Sequence, residues 1–112
     1  MAKQITTEEI KKIVDSGTKD QYLVDVLSQK SFEGMQIPTS HNVPYAPEFM
    51  EAFAREISAP KDAQIIVYCA SSGCQLSNLA ADELDEAGYT NVYHYADGLA
   101  GWKNAGYEFE GR

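Results

Sequence analysis

Two cysteines, Cys69 and Cys74, are the side chains of this 112-residue sequence with the clearest capacity for chemistry. They belong to the segment 68–75 (YCASSGCQ), which joins an apolar run to a helical pattern. Small residues and a glycine allow such a loop to curl until several backbone N–H groups point inward as an anion-binding nest. The N-terminus of the next helix adds partial positive charge, and a thiol in that setting ionises more readily to the reactive thiolate. The loop therefore predicts a nucleophile at Cys69.

Nucleophilic sulfur in an anion-binding loop is typical of a Cys-based transferase or phosphatase. The loop residues predicted to bind the substrate are Ala70, Ser71, Ser72, Gly73 and Gln75. Asp25 is predicted to support the loop by orienting its amides, although an acid at the end of a strand often only caps a turn. The alternative for Cys69 itself is that it packs as a small, unreactive hydrophobic side chain.

Short β-rich runs alternate with helical patterns along the sequence, and the strands and helices that these predict must position the cysteine loop. Strands are predicted over residues 22–27, 63–68 and 91–95, and helical spacing recurs after Thr6, from Phe49 to Ile57, over 76–84 and around Trp102. In the third helical pattern, one apolar face is expected to carry Leu76, Leu79, Ala80 and Leu84. Such alternation predicts an α/β fold with a mainly parallel sheet. Ligands of such sheets bind beyond the carboxyl ends of the strands. Cys69 lies at that end of the most apolar predicted strand, residues 63–68.

Charge and composition restrict the function classes. The sequence contains 9 Lys and Arg against 17 Asp and Glu, a net charge of −8, and is 44% hydrophobic. This length and apolar content predict one globular domain over residues 1–112. The negative charge argues against nucleic acid and anionic membranes as partners and favours a soluble monomer. With no signal-peptide pattern and no apolar run near the ~20 residues of a membrane span, we expect a cytoplasmic protein.

Four segments resemble, in the same order, motifs of the single-domain rhodaneses, a sulfurtransferase family. They are residues 23–26 (LVDV), 36–44 (QIPTSHNVP), 65–69 (IIVYC) and 98–107 (GLAGWKNAGY). These resemble, respectively, the second-strand motif, the HIPGAxNIP segment, the strand that ends in the catalytic cysteine, and the C-terminal glycine–tryptophan–alanine–glycine signature. The resemblance covers essentially the whole chain. It implies a rhodanese-like three-layer α/β/α domain with a central parallel sheet of about five strands.

The same resemblance implies a sulfurtransferase that works through a persulfide on Cys69. The sulfane sulfur would come from a small donor, thiosulfate or polysulfide, and pass to a thiol, to cyanide or to a protein acceptor. No dissociable cofactor is expected, because the persulfide is covalent. No metal site is expected either, since two cysteines with this spacing supply too few ligands.

The spacing of Cys69 and Cys74 resembles a rhodanese subgroup with a C-x4-C active-site loop. Cys69 holds the usual catalytic position, whereas Cys74 lies nearer the N-terminus of the next helix, so the sequence leaves open which thiol carries the sulfur. Cys74 can instead attack a persulfide or sulfenate on Cys69 and close a disulfide, with release of sulfide from the persulfide or of water from the sulfenate. It can also simply pack within the loop.

The chain departs from the family at its positive charges. Many members carry an arginine after the loop glycine and another after the second-strand motif, but here Leu27 holds the latter place and no Lys or Arg lies between Lys61 and Lys103. Backbone N–H groups must then hold an anionic donor alone. Phosphatase activity is not expected, because it needs a cation at the transition state. The departure favours two alternatives: a Cys69/Cys74 thiol–disulfide redox switch, and a non-catalytic sulfur-carrier or interaction module.

Overall fold

The computed structural model describes residues 3–16, 21–71 and 75–109. Its strands are β1 (Lys3–Gln4), β2 (Gln21–Asp25), β3 (His41–Asn42), β4 (Gln64–Tyr68) and β5 (Val92–Tyr95). Its helices are α1 (Thr7–Ser16), α2 (Gln29–Gly34), α3 (Phe49–Glu56), α4 (Leu76–Glu86) and α5 (Gly98–Asn104). Three residues of the predicted active-site loop, Ser72, Gly73 and Cys74, lie outside the described residues.

The strands form one parallel sheet in the order β1-β5-β4-β2-β3. β4 lies in the middle, and its last four residues are buried, as expected for a parallel strand that is covered on both faces. Tyr68 pairs with Asp25 of β2 on one side and with Tyr95 of β5 on the other. The three strands therefore end at the same level, directly before Cys69. The predicted parallel sheet of about five strands is confirmed.

Helices cover both faces of the sheet, which gives the predicted three-layer arrangement. On one face α3 and α4 contribute Phe49, Phe53 and Leu84 to a core that includes Val67 of β4. On the opposite face the second core is built by α1, α5 and the alternate strand residues, namely Ile10, Leu23, Ile66, Tyr68, Tyr95, Leu99 and Trp102. Cys69 belongs to the first of these cores, on the side of α4.

The start of α1 follows directly from the sequence. The Glu9 carboxylate accepts a hydrogen bond from the Thr6 N–H at 3.1 Å, and the Thr6 hydroxyl accepts one from the Glu9 N–H at 3.2 Å. This reciprocal pair is a capping box, and it gives partners to two backbone N–H groups at the beginning of the helix.

The buried face of α4 differs from the prediction. Leu79 is 45% exposed, so the expectation that it shares the apolar face was wrong. The helix buries Ala80 and Leu84 as predicted, together with Ser77 and Ala81. The physical reason is the Ser77 hydroxyl, which lies within hydrogen-bond distance of Cys69 and His94 and so turns its side of α4 toward the sheet.

No helix in residues 3–16, 21–71 and 75–109 has the length and apolar character needed to cross a membrane.

Candidate active site

Cys69 lies immediately after the central strand and is 1% exposed. The parallel pairing continues beyond β2, since the Val26 N–H donates to the Tyr68 carbonyl at 3.1 Å. The Cys69 sulfur is disulfide-bonded in this structure, so the thiol that the predicted chemistry needs is produced by reduction. Cys74, the second predicted catalytic residue, lies outside the described residues.

The N-terminus of α5 holds the backbone on which Cys69 is mounted. The Leu99 N–H donates to the Cys69 carbonyl at 3.0 Å, and the Ala100 N–H donates to the Ala70 carbonyl at 2.9 Å. Gly98 makes this approach possible, because it adopts a φ of +57° and a Cβ there would overlap the Cys69 carbonyl oxygen. The helix start therefore supplies two otherwise unpaired N–H groups as a clamp on the first turn of the loop.

Two polar side chains connect Cys69 to the neighbouring strand. The buried Ser77 hydroxyl of α4 lies 3.2 Å from the Cys69 Sγ and 2.8 Å from the Nε2 of His94 on β5. Burial lowers the pKa of His94, and the negative charge of Asp82 opposes that shift. The ring is therefore neutral at pH 7. The sequence pattern indicates no function for Ser77 or His94. Its one signal is that His94 follows Val92 at the spacing of residues on the same face of a strand.

Asp25 lies at the end of β2 and is fully buried. Its Oδ1 accepts the Leu27 N–H at 2.8 Å, which ends the strand in a turn, and its Oδ2 has no hydrogen-bond partner in the described part of the chain. Burial raises the pKa of Asp25 from 3.8 to about 6, against the opposing effects of the Leu27 N–H and the Tyr68 hydroxyl. The hydrogen bond from Leu27 is thus a turn cap, which the sequence offered as the alternative to a role for Asp25 in orienting the loop amides.

Asp25 makes stability depend on pH. Its pKa is about 6 in the folded chain against 3.8 ordinarily, so between these values the folded state binds more protons, and stability falls as pH rises. We expect the free energy of unfolding to drop by about 2 kcal/mol from pH 4 to pH 7 through this group. Asp25→Asn keeps an oxygen for Leu27 and should lose that dependence in urea titrations.

The exposed Asp62 provides the control for this prediction. Asp62→Asn removes the same charge from the surface and should keep the wild-type slope of stability against pH. Parallel stability profiles for Asp25→Asn and the wild type would show that Asp25 is not the responsible group.

The remaining predicted binding residues are only partly visible. Ala70 is exposed and Ser71 is half-buried at the start of the loop. Gln75 is exposed directly before α4 and makes no side-chain capping hydrogen bond within the described residues. The structure therefore places Ala70, Ser71 and Gln75 on either side of the predicted site, and Ser72 and Gly73 lie outside the described ranges.

The comparison with family models matches residues 6–105 to the Rhodanese-like domain. This chain belongs to the rhodanese-like family. It is 31% identical over 111 residues to a thiosulfate:glutathione sulfurtransferase of Saccharomyces cerevisiae, covering 88% of this chain and 76% of that protein. Among solved structures, the rhodanese-like domain of the Anabaena protein Alr3790 is similar at a TM-score of 0.83 and 23% identity, covering 100% of this chain and 81% of that chain.

A second rhodanese relative is much longer than this chain. It is the adenylyltransferase and sulfurtransferase UBA4 of Candida albicans, which is 34% identical over 90 residues. The match covers 77% of this chain but only 20% of that protein. The chain thus spans a fifth of the length of this relative.

Proposed function

We propose that this rhodanese domain is a sulfurtransferase that moves sulfane sulfur from thiosulfate or polysulfide to a thiol, cyanide or protein acceptor. The Cys69 thiolate attacks the outer sulfur of the donor, the sulfur–sulfur bond of thiosulfate breaks, and sulfite leaves with the electron pair. The acceptor thiolate then attacks the outer sulfur of the Cys69 persulfide. A persulfide forms on the acceptor and the Cys69 thiolate returns, so no oxidant or reductant is consumed in the cycle.

The position of Cys69 is the observation that carries this proposal. The residue follows the central strand of a rhodanese fold, at the carboxyl edge where parallel sheets bind their ligands, and α5 clamps its carbonyl. The yeast relative named thiosulfate:glutathione sulfurtransferase supports thiosulfate as donor and a thiol as acceptor. We infer that the backbone amides of residues 70–75 hold the donor, because the sequence has no Lys or Arg between Lys61 and Lys103.

Intact-protein mass spectrometry tests the proposal. The reduced chain, freed of reductant, is incubated with thiosulfate and separately with polysulfide. We expect a gain of one sulfur atom, and its removal by glutathione or cyanide with formation of the corresponding persulfide or thiocyanate. Absence of uptake from both donors contradicts the proposal.

A thiol–disulfide switch is the second candidate, and the disulfide-bonded state of Cys69 favours it. In that function a two-electron oxidant such as a peroxide takes two electrons and two protons from the Cys69/Cys74 dithiol to give the disulfide, and a thiol reductant restores the dithiol. The same mass measurement distinguishes the two candidates. A reduced chain that closes the disulfide with this oxidant, together with a Cys74→Ser variant that never gains sulfur from either donor, supports the switch.

The unusual lack of loop cations also favours a sulfur carrier that serves a protein acceptor. A carrier would gain sulfur from the donor but keep it when glutathione or cyanide is added. Turnover with these small acceptors therefore separates the enzyme from the carrier after uptake has been established.

A further inference from the structure

A buried chain of polar groups leads away from the Cys69 sulfur. Ser77 stands between Cys69 and His94, with its hydroxyl oxygen 3.2 Å from Sγ and 2.8 Å from Nε2. Cys69 and Ser77 are each 1% exposed, and His94 is half-buried. The three groups come from separate elements, namely the end of β4, the first turn of α4, and β5. This arrangement gives the sulfur a proton path that does not run through bulk water.

We propose that His94 is a positioning residue that accepts the Cys69 proton through the Ser77 hydroxyl as the sulfur attacks its donor. This inference rests on the proposed sulfurtransferase function. It gives the site a base for the Cys69 proton. Residues 62–102 contain no Lys or Arg whose positive charge could stabilise the thiolate instead.

The proton transfer balances as two coupled steps. In the reduced chain the Cys69 S–H gives its proton to the Ser77 oxygen, while the Ser77 O–H gives its own proton to the unprotonated Nε2 of His94. The products are a Cys69 thiolate, an unchanged serine and an imidazolium. When the thiolate displaces sulfite from thiosulfate, the anionic persulfide remains accompanied by that imidazolium, which releases its proton before the next turnover.

The surroundings of His94 are suited to this task. Burial lowers the pKa of the ring, so the ring is unprotonated and able to accept a proton at pH 7. The charged group that acts on it within the described residues is Asp82 of α4, which opposes the shift and would stabilise the imidazolium once formed. The adjacent strands present uncharged Val67 of β4 and Gln4 of β1 at the same register.

The pH dependence of sulfur loading tests the relay. Loading of the reduced chain by thiosulfate is followed by rapid quenching and intact mass at pH 6 to 9, with Cys69→Ser as the blank. His94→Gln keeps an amide group that can contact Ser77 but cannot take up a proton. At pH 7 we expect loading about tenfold slower in this variant, with the difference shrinking as the pH rises, because the thiol then ionises without a base.

At pH 9 the variant and the unaltered chain should load at similar rates, because the thiolate then forms without a base. Ser77→Ala should show the same pattern, since it removes the bridge but leaves His94. His41→Gln is the matched control, because His41 lies on the edge strand β3, two strands from β4, and its loss should leave the profile unchanged.

Each outcome separates the relay from the proposed function. Loading at pH 9 together with an unaltered rate at pH 7 in His94→Gln and Ser77→Ala overturns the relay alone. An equal loss at every pH also overturns it, because it indicates a structural effect. If the unaltered chain takes up no sulfur even at pH 9, the proposed function fails and the relay fails with it.

Discussion

Cys69→Ser is expected to abolish sulfur uptake from thiosulfate and polysulfide completely, because a serine hydroxyl cannot form a persulfide under these conditions. The exchange keeps the size of the side chain, so the clamp from the Leu99 and Ala100 N–H groups on the loop carbonyls should persist. Intact mass after incubation with donor gives the measurement, and thermal unfolding shows whether the variant remains folded.

Cys74→Ser is the comparison variant within the same loop. We expect it to take up one sulfur atom, which cyanide removes, and to lose the ability to form an intrachain disulfide. The opposite pattern, with uptake kept by Cys69→Ser and lost by Cys74→Ser, would assign the persulfide to Cys74. Uptake lost in both variants would mean that the two thiols act together.

The sequence predicted the centre of the sheet well because β4 is buried on both faces. A parallel strand covered by helices must be apolar along its whole length, and residues 63–68 satisfy this more clearly than any other run. Their predicted span differs by one residue from the observed β4 (Gln64–Tyr68). The rhodanese motifs added the order of the elements, and with it the position of Cys69 beyond the central strand.

The contacts of the site were harder to predict because they join residues that are distant in the chain. His94 and Ser77 are 17 positions apart, and their meeting depends on how α4 is rotated against β5. Helical spacing alone placed Leu79 on the apolar face, and the structure places Ser77 there. Burial of the Ser77 hydroxyl with two hydrogen-bond partners can be as favourable as burial of an apolar side chain such as Leu79. The spacing of apolar residues in the sequence does not include such hydrogen bonds.

The C-terminal signature shows a different limit. The resemblance identified residues 98–107 as a family motif, but it did not indicate the structural role of Gly98. In the structure Gly98 adopts a left-handed backbone conformation against the Cys69 carbonyl. Gly98 therefore lets α5 approach the backbone of Cys69, which brings the fourth of the resembling segments into contact with the third.

Gly98→Ala is expected to have the second largest effect among these predictions, on both stability and sulfur uptake. A Cβ at this position would overlap the Cys69 carbonyl oxygen and lie 3.0 Å from the Cys69 carbonyl carbon and 3.1 Å from that of Ala70. The left-handed conformation and the overlap together should lower the free energy of unfolding by about 3 kcal/mol or more. Because the neighbour is backbone, relief requires α5 or the start of the loop to move, and loading of Cys69 by thiosulfate should fall with it.

Gly106→Ala separates these two causes. Gly106 has a φ of +83° and so also lies in the left-handed region, but a Cβ there meets no atom within 4 Å. This variant should lose about 1 to 2 kcal/mol of stability from backbone strain and load sulfur at the wild-type rate. If Gly98→Ala matched it in both urea titrations and loading rate, the approach of α5 to Cys69 would have no part in the activity. A selective loss of loading in Gly98→Ala, at a temperature where both variants are folded, would show that the helix start sets the position of the nucleophile.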